Sequence, residues 1–332
     1  YCKPGRMADT LAAILSDRAR AGVRVLFLHD AFGSQDLTEG YLDSLRAAGV
    51  RIAIFRPVHW YSLHKAQSRS HIRVVVVDGR VGYTGGFGID DKWFGNGHAR
   101  DQWRDTNVRF TGSAVAQLQA TFAAGWAEAT GQLLTGELFF PRVPPADDPA
   151  QLAALFHSAP TIGSTPAERY LALSIAGARR TLYIANSYFV PDEDFRRLLV
   201  RAAKRGVDVR VLTAGPRTDV EITLLAGRDT YDELLAGGVR VYEYQPTMMH
   251  AKTLVVDGSW SSIGTMNFDN RSMVFNDESN LLVLDPVVGA RMDSLFLDDL
   301  RYAKEIRRPE FDRRGVVERL LEQGAALWGR LL

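Results

Sequence analysis

Apolar residues fall in two alternating patterns along this chain, one with helical spacing and one in short continuous runs. Met7 to Ala21 places Leu11, Ile14, Leu15 and Ala19 on one helical face, and Gly22 stops it. Val23 to His29 predicts a buried strand, Tyr41 to Ala48 a helix ended by Gly49, and Val50 to Phe55 another strand. Val58 to Arg69 is polar and aromatic and reads as a loop, and Ser113 to Ala129 reads as a long helix. A proline-rich stretch at 131–150 suits a linker. Beyond it the pattern predicts helix Pro166 to Ala178, strand Leu182 to Asn186, helix Asp192 to Lys204, strand Val207 to Thr213, helix Val220 to Ala236 and strand Val239 to Tyr244. Strands alternating with helices, several of them continuously apolar, predict an α/β fold with a sheet covered on both faces.

The chain repeats itself. Ser70 to Asp90 (SHIRVVVVDGRVGYTGGFGID) aligns without a gap on Met249 to Asp269 (MHAKTLVVDGSWSSIGTMNFD), at an offset of 179. His71 falls on His250, Arg73 on Lys252, Asp78 on Asp257, Gly86 on Thr265 and Gly88 on Asn267. Ala21 to Leu26 answers Arg205 to Arg210, and Leu45 to Pro57 answers Leu234 to Pro246, in the same order. Long collinear units of this kind mark an internal duplication rather than a solenoid. The division expected is a first half at 1–130, a linker at 131–150 and a second half at 151–332. The first half opens at Tyr1 without a counterpart to the apolar strand at Leu182, so that strand, and an N-terminal membrane segment, are expected upstream of Tyr1.

Composition narrows the classes. Hydrophobic content of 46% and charged content of 24% are those of an ordinary globular protein with a large core. A net charge of +1 gives no overall field toward nucleic acid, so a nuclease would need a local basic groove. Cys2 is the one cysteine, which excludes an internal disulfide framework. No apolar run is long enough to span a bilayer, and no signal peptide is visible.

The repeated segment carries the candidate chemistry. His250 and Lys252 are two apart, so on an extended chain they share a face, as do His71 and Arg73. Imidazole beside a cation, with the small and amide residues Gly86, Thr265 and Asn267 returning nearby, suits a phosphate. Phosphodiester cleavage calls for a nucleophile and a proton donor for the leaving oxygen, and two imidazoles in one cleft can divide those roles. Each imidazole also needs an acceptor on its other nitrogen. Asp105 lies 34 residues after His71, and Glu278 lies 28 after His250. Asp78 and Asp257 begin Asp-Gly turns and are expected to support the motif. No Cys/His or carboxylate cluster has metal-ligand spacing, so no metal and no cofactor are expected.

His-x-Lys, an Asp further along, then Gly-Thr-x-Asn, in two copies, resembles the phospholipase D superfamily. Asp30 to Ser34, Trp103 to Thr106, Tyr188 to Asp192, and Asn270 to Ser272 followed by Asn276 to Asn280 are similar to bacterial cardiolipin synthases in particular. The resemblance implies an internally duplicated phospholipase D-like fold, two β-α-β-type halves with mixed sheets related by a pseudo-twofold axis. It also implies metal-independent phosphatidyl transfer through a phosphohistidine, with His71 as nucleophile and His250 as proton carrier. Arg73, Lys252, Asn267, Thr265 and Gly86 would then surround the phosphate. The implied partners are a phospholipid, phosphatidylglycerol first, and the membrane surface, with the active site inside one chain and no oligomer required. The implied location is the bacterial inner membrane, with the catalytic part facing the cytoplasm.

Two positions depart from the family pattern: Arg73 stands where lysine is usual, and Gly88 where asparagine is common. Arginine keeps the charge and can grip a phosphate through two donors, whereas Gly88 leaves only its backbone N–H. Hydrolysis of a phospholipid or nucleic acid, and a non-catalytic phosphate- or lipid-binding module with a decayed first site, are the alternative readings. His29, His59, His64, His98 and His157 have no partner at ligand spacing and read as structural or solvated. Val316 to Leu332 is an amphipathic tail with Trp328, suited to packing on the domain or to a membrane interface.

Overall fold

The computed structural model describes residues 1–57, 69–143, 151–159 and 165–327. His59, His64, Trp328, most of the expected 58–69 loop and the end of the linker lie outside them. The chain begins with α1 (Arg6–Arg20), β1 (Leu26–Asp30), α2 (Glu39–Ala47) and β2 (Arg51–Phe55). Then come β3 (Val75–Val77), β4 (Val81–Gly85), β5 (Asn107–Thr111) and α3 (Ala114–Thr130). β6 (Leu152–Ser158), α4 (Pro166–Gly177), β7 (Thr181–Asn186), α5 (Glu193–Lys204) and β8 (Asp208–Ala214) follow. Next are α6 (Glu221–Asp229), α7 (Tyr231–Ala236), β9 (Arg240–Tyr244), β10 (Lys252–Val256), β11 (Trp260–Gly264) and β12 (Glu278–Leu284). α8 (Pro286–Leu300), β13 (Ala303–Ile306), α9 (Arg308–Phe311) and α10 (Val316–Ala326) close the chain.

An eight-stranded mixed sheet, in the order β13-β9-β8-β7-β10-β11-β12-β6, is the backbone of the molecule. Side chains alternate across its central strands. Leu182 and Ile184 of β7 join Val209, Val211, Leu254, Phe195 and Leu199 on one face. Tyr183 and Ala185 join Leu212, Tyr242 and Phe296 on the other. With helices on both faces, the central strands have no polar side to show, which is why their sequences read as continuous apolar runs. The helix ends follow local chemistry. Asp192 caps α5 by accepting from the Phe195 N–H, and Thr165 and Glu168 cap α4 reciprocally.

In the first half, β1 and β2 pair in parallel as one sheet and β3-β4-β5 form another, while in the second half β7 joins β8 to β10. Both Asp-Gly turns are tight hairpins with positive φ at both residues: 54° and 62° at Asp78-Gly79, 53° and 64° at Asp257-Gly258.

Several elements differ from the sequence reading, which assigned no element to β5, β12, α8 or α9. The helix expected over Val220 to Ala236 is two helices, α6 and α7, parted at Thr230. β6 and β13, both at the edges of the large sheet, are strands the pattern did not reveal. β6 alternates half-buried and exposed positions and is only partly apolar, so its strand character comes from pairing with β12.

Candidate active site

His250 lies just before β10, where Lys252 pairs with Asn186 at the carboxyl end of β7. The carboxyl ends of the parallel strands β7 and β8 therefore open onto the same region, the usual place for a site in a sheet of this kind.

The two halves meet through two short backbone bridges. Ser70 pairs with Asp277, and Arg104 with Met249, both parallel. His71 N–H donates to the Asp277 carbonyl at 3.0 Å, and His250 N–H to the Arg104 carbonyl at 2.7 Å. Each bridge sets a histidine beside the carboxylate that follows its partner residue. His250 Nδ1 lies 2.9 Å from Asp105, and His71 Nδ1 lies 2.9 Å from Glu278. Matched distances downstream suggest that Asp105 serves His71 and Glu278 serves His250; the structure corrects this, since each carboxylate crosses to the other half. An ionised carboxylate can only accept, so with Asp105 and Glu278 ionised each Nδ1 carries the hydrogen and each Nε2 keeps its lone pair.

The two dyads have different surroundings. Asp105 also accepts from Trp93 Nε1 at 2.9 Å and from the Thr106 N–H at 2.7 Å. Trp93 meets the His250 ring edge-on, Trp103 packs on it at a tilt, and the Lys92 ammonium sits 3.6 Å from the centre of the Trp103 ring. Glu278 instead accepts from the Thr265 hydroxyl at 2.5 Å and from Asn276 at 3.4 Å. The His71 side chain is 21% exposed and that of His250 5%, so His71 is the imidazole more open to an incoming group.

Behind the histidines the cations are arranged alike. Lys252 Nζ donates to the His250 carbonyl and to Ser187 Oγ, both at 2.7 Å. Arg73 donates to the His71 carbonyl through Nη1 and to the Phe87 carbonyl through Nε at 3.1 Å. Nη2 of Arg73 has no protein partner among the described residues, and the Lys252 ammonium retains a third hydrogen. Asn267 is buried and its side-chain oxygen has no hydrogen-bond partner among the described residues.

Thr265 and Gly86 stand one layer further back than expected. The Thr265 hydroxyl is fully buried on Glu278. A Cβ at Gly86 would lie 2.4 Å from the Asp105 carboxylate, so glycine there makes room for that group. Gly88 faces Trp93, whose ring would lie 2.9 Å from a Cβ, leaving no space for asparagine. Asp257 accepts from the backbone N–H groups of Arg179, Arg180 and Thr181 and so braces the start of β7, away from the histidines.

Burial and the two cations govern protonation. Burial, then Lys252, brings His250 down to about 3 despite Asp105. Burial, then Arg73 and Lys252, takes His71 well below its ordinary value. Both imidazoles are thus neutral in the empty site. Burial lowers Lys252 to about 7 and raises Glu278 to about 7. Burial pushes Asp105 up, but His250, Lys252 and the Trp93 bond outweigh it and hold the carboxyl below its usual range. An anion entering the site would reverse the effect of Lys252 and Arg73 and favour a proton on an imidazole.

Among the remaining histidines, His29 is buried with neither ring nitrogen hydrogen-bonded to any of the described residues, His98 packs against Tyr302, and His157 lies on β6. No group of three or more His, Cys, Asp or Glu among the described residues could hold a metal ion. Sequence reasoning missed Trp93, Ser187 and Lys92. Only their closeness to quoted stretches, Trp103 to Thr106 and Tyr188 to Asp192, hinted at them.

Residues 171–300 match the family described as "Cardiolipin synthase, PLD-like domain". The cardiolipin synthase of Geobacillus kaustophilus is 37% identical over 328 residues, covering 98% of this chain and 65% of that protein. A probable cardiolipin synthase of Bacillus subtilis is 31% identical over 320 residues, covering 96% of this chain and 63% of the relative. The chain thus spans just under two thirds of the length of these relatives. The crystal structure of phosphatidylserine synthase from Haemophilus influenzae superposes with a TM-score of 0.65 at 11% identity, over 98% of this chain and 94% of that one, which shows a shared fold. Over residues 171–300 the chain thus matches the PLD-like domain of the cardiolipin synthases, and over nearly its whole length it is similar in sequence to the bacterial cardiolipin synthases.

Proposed function

We propose that this chain transfers a phosphatidyl group between two phosphatidylglycerol molecules, forming cardiolipin and releasing glycerol. His250 takes up a proton at Nε2 when the anionic phosphate enters; His71 Nε2 then attacks phosphorus, the bond to the glycerol oxygen breaks, and His250 gives that oxygen its proton. This leaves a phosphatidyl group on His71. The free hydroxyl of a second phosphatidylglycerol then passes its proton to His250 and attacks phosphorus. The P–N bond breaks, His71 is restored, and cardiolipin leaves. Another phospholipid could serve as donor by the same steps.

The observation that carries this reading is the pair of crossed dyads. Two neutral imidazoles present Nε2 from the two halves, with Nδ1 of each held by a buried carboxylate. His71 takes the nucleophile's role because it is the more open, and His250, packed between tryptophans, takes the proton carrier's. Arg73, Lys252 and Asn267 supply positive charge and an amide to the oxygens of the phosphoryl group in transfer. The binding charge of the first copy survives in Arg73, and its dyad is complete, so a decayed first half is disfavoured. The catalytic part would work against the inner face of the bacterial inner membrane.

The test is incubation with phosphatidylglycerol in EDTA followed by lipid analysis. Cardiolipin with an equal amount of glycerol supports the proposal. Phosphatidic acid alone would make the chain a hydrolase, and no turnover at all would remove the catalytic reading.

A further inference from the structure

α10 is mounted with its polar side inward. Glu322, 1% exposed, and Ala325 face the domain, where Glu322 lies 3.0 Å from Arg314 and Glu318 3.7 Å from Arg228. Arg314 is itself anchored, stacked on Phe311 and paired with Asp232. The opposite side carries Val316, Val317, Leu320, Leu321 and Leu327, which are 75%, 71%, 61%, 57% and 85% exposed. Their spacing makes one continuous stripe along the helix. A domain helix ordinarily buries that stripe, and a contiguous apolar patch left outside marks an interaction surface.

We infer that this stripe is where the chain seats itself on a phospholipid bilayer, an inference that rests on the proposal of a phospholipid substrate. Both glutamates of the helix are drawn toward ion pairs, so the charge left on the outward side is that of Arg319. Arg307, Arg308 and Arg313 are exposed in the segment just before it and outnumber the exposed acids Glu310 and Asp312, although Arg307 lies 3.7 Å from Glu305 and Arg308 3.7 Å from Asp312. An apolar stripe bordered by arginines complements an anionic lipid surface better than it does a second copy of itself, which would bring arginine against arginine. A helix of 11 residues is too short to cross a bilayer and lies in its plane instead. The sequence runs on through Trp328, Arg330 and Leu332, residue types that favour the same interface.

The position is also appropriate. α10 packs on α6, through the cluster of Val190, Leu225, Ala226 and Ala325. At Gly227, α6 comes close enough to the Phe189 carbonyl that a Cβ would lie 2.7 Å from it. Two residues earlier, Ser187 accepts the Lys252 hydrogen bond. A bilayer against α10 would thus be linked to the site through α6 and the Ser187–Phe189 segment.

The test compares this chain with its double variant Leu320→Glu/Leu321→Glu, both changes lying outside the packed side of the helix. Binding is measured by co-sedimentation with vesicles of phosphatidylcholine mixed with phosphatidylglycerol. Turnover is measured on those vesicles and on a short-chain, monomeric phosphatidylglycerol. The expected result is vesicle binding and vesicle turnover lowered more than about tenfold, with turnover of the monomeric lipid held within about twofold. Unchanged vesicle binding by the variant would overturn the inference, as would a dimer that the variant dissociates while lipid binding persists. If neither protein turns over the monomeric lipid, the catalytic proposal fails, while the binding comparison still decides the role of α10.

Discussion

Replacing Asp105 by asparagine tests the crossed dyads most directly. The carboxylate accepts from His250 Nδ1 and Trp93 Nε1 on one oxygen and from the Thr106 N–H on the other. Asparagine has the same shape but only one acceptor oxygen. If that oxygen stays on Thr106, the amide NH2 meets the two ring donors, and His250 can keep a bond only by moving its hydrogen to Nε2. The proton carrier then shows the cleft a hydrogen in place of a lone pair, and its imidazolium loses the counter-charge. By comparison with the wrong-tautomer effect in histidine–aspartate pairs, kcat should fall about 10³- to 10⁴-fold, or about 4–5.5 kcal/mol in the barrier. The assay pairs phosphatidylglycerol with a phosphatidyl ester of p-nitrophenol, whose leaving group needs no proton. Asp105→Asn should recover much of the loss in forming the covalent intermediate from the activated ester, whereas Glu278→Gln, which weakens the nucleophile His71, should not. The reasoning is refuted if Asp105→Asn keeps more than about a tenth of wild-type kcat, or if the activated ester rescues Glu278→Gln instead.

Further expectations follow from the same geometry. His71→Ala should abolish the phosphatidyl-enzyme adduct seen by mass spectrometry, while His250→Ala should still form it from the activated ester; the opposite pattern would exchange their roles. Lys252 sits near 7 in the empty site, so KM for phosphatidylglycerol should rise as pH increases through 7. Lys252→Arg, always charged, should flatten that limb, and a wild-type KM constant between about pH 6 and 9 would count against Lys252 as a phosphate ligand. Gly86→Ala should press on Asp105 and cut kcat about 10- to 100-fold with the fold intact, as judged by circular dichroism. Burial raises Asp269 to about 7, above its unfolded value, so its charge costs stability fully above pH 7, and the cost fades as pH falls toward that of a free carboxyl. Asp269→Asn should accordingly raise Tm by at least about 2 °C at pH 8 and by almost nothing at pH 4; a gain independent of pH would dismiss the explanation.

The histidines, the duplication and most helices and strands were legible because each leaves a local mark: a residue type at a fixed spacing, a periodic face, a glycine stop. The pairing of histidine with carboxylate was not. His71 and His250 each have an acid downstream at similar separation, and only the bridges Ser70–Asp277 and Arg104–Met249 decide which acid reaches which ring. Sequence distance within a half carries no information about contacts made across the halves. β13 was hidden because a four-residue edge strand is defined by its neighbour β9 rather than by its own pattern. The break at Thr230 lay inside an unbroken helical periodicity. For α10 the amphipathic pattern was plain, yet the direction it faces depends on Arg314 and Arg228, which lie outside it.

The exchange of partners between the halves has a consequence for how such a protein can evolve. Two identical subunits arranged this way would be bound to keep both dyads the same, since any substitution would appear in each. Once the copies share one chain, that constraint lapses. A hydroxyl can serve one carboxylate at Thr265 while an indole serves the other beside Gly86, and lysine can stand behind one histidine and arginine behind the other. On the proposed mechanism, fusion is what would allow one imidazole to specialise in bonding to phosphorus and the other in moving protons.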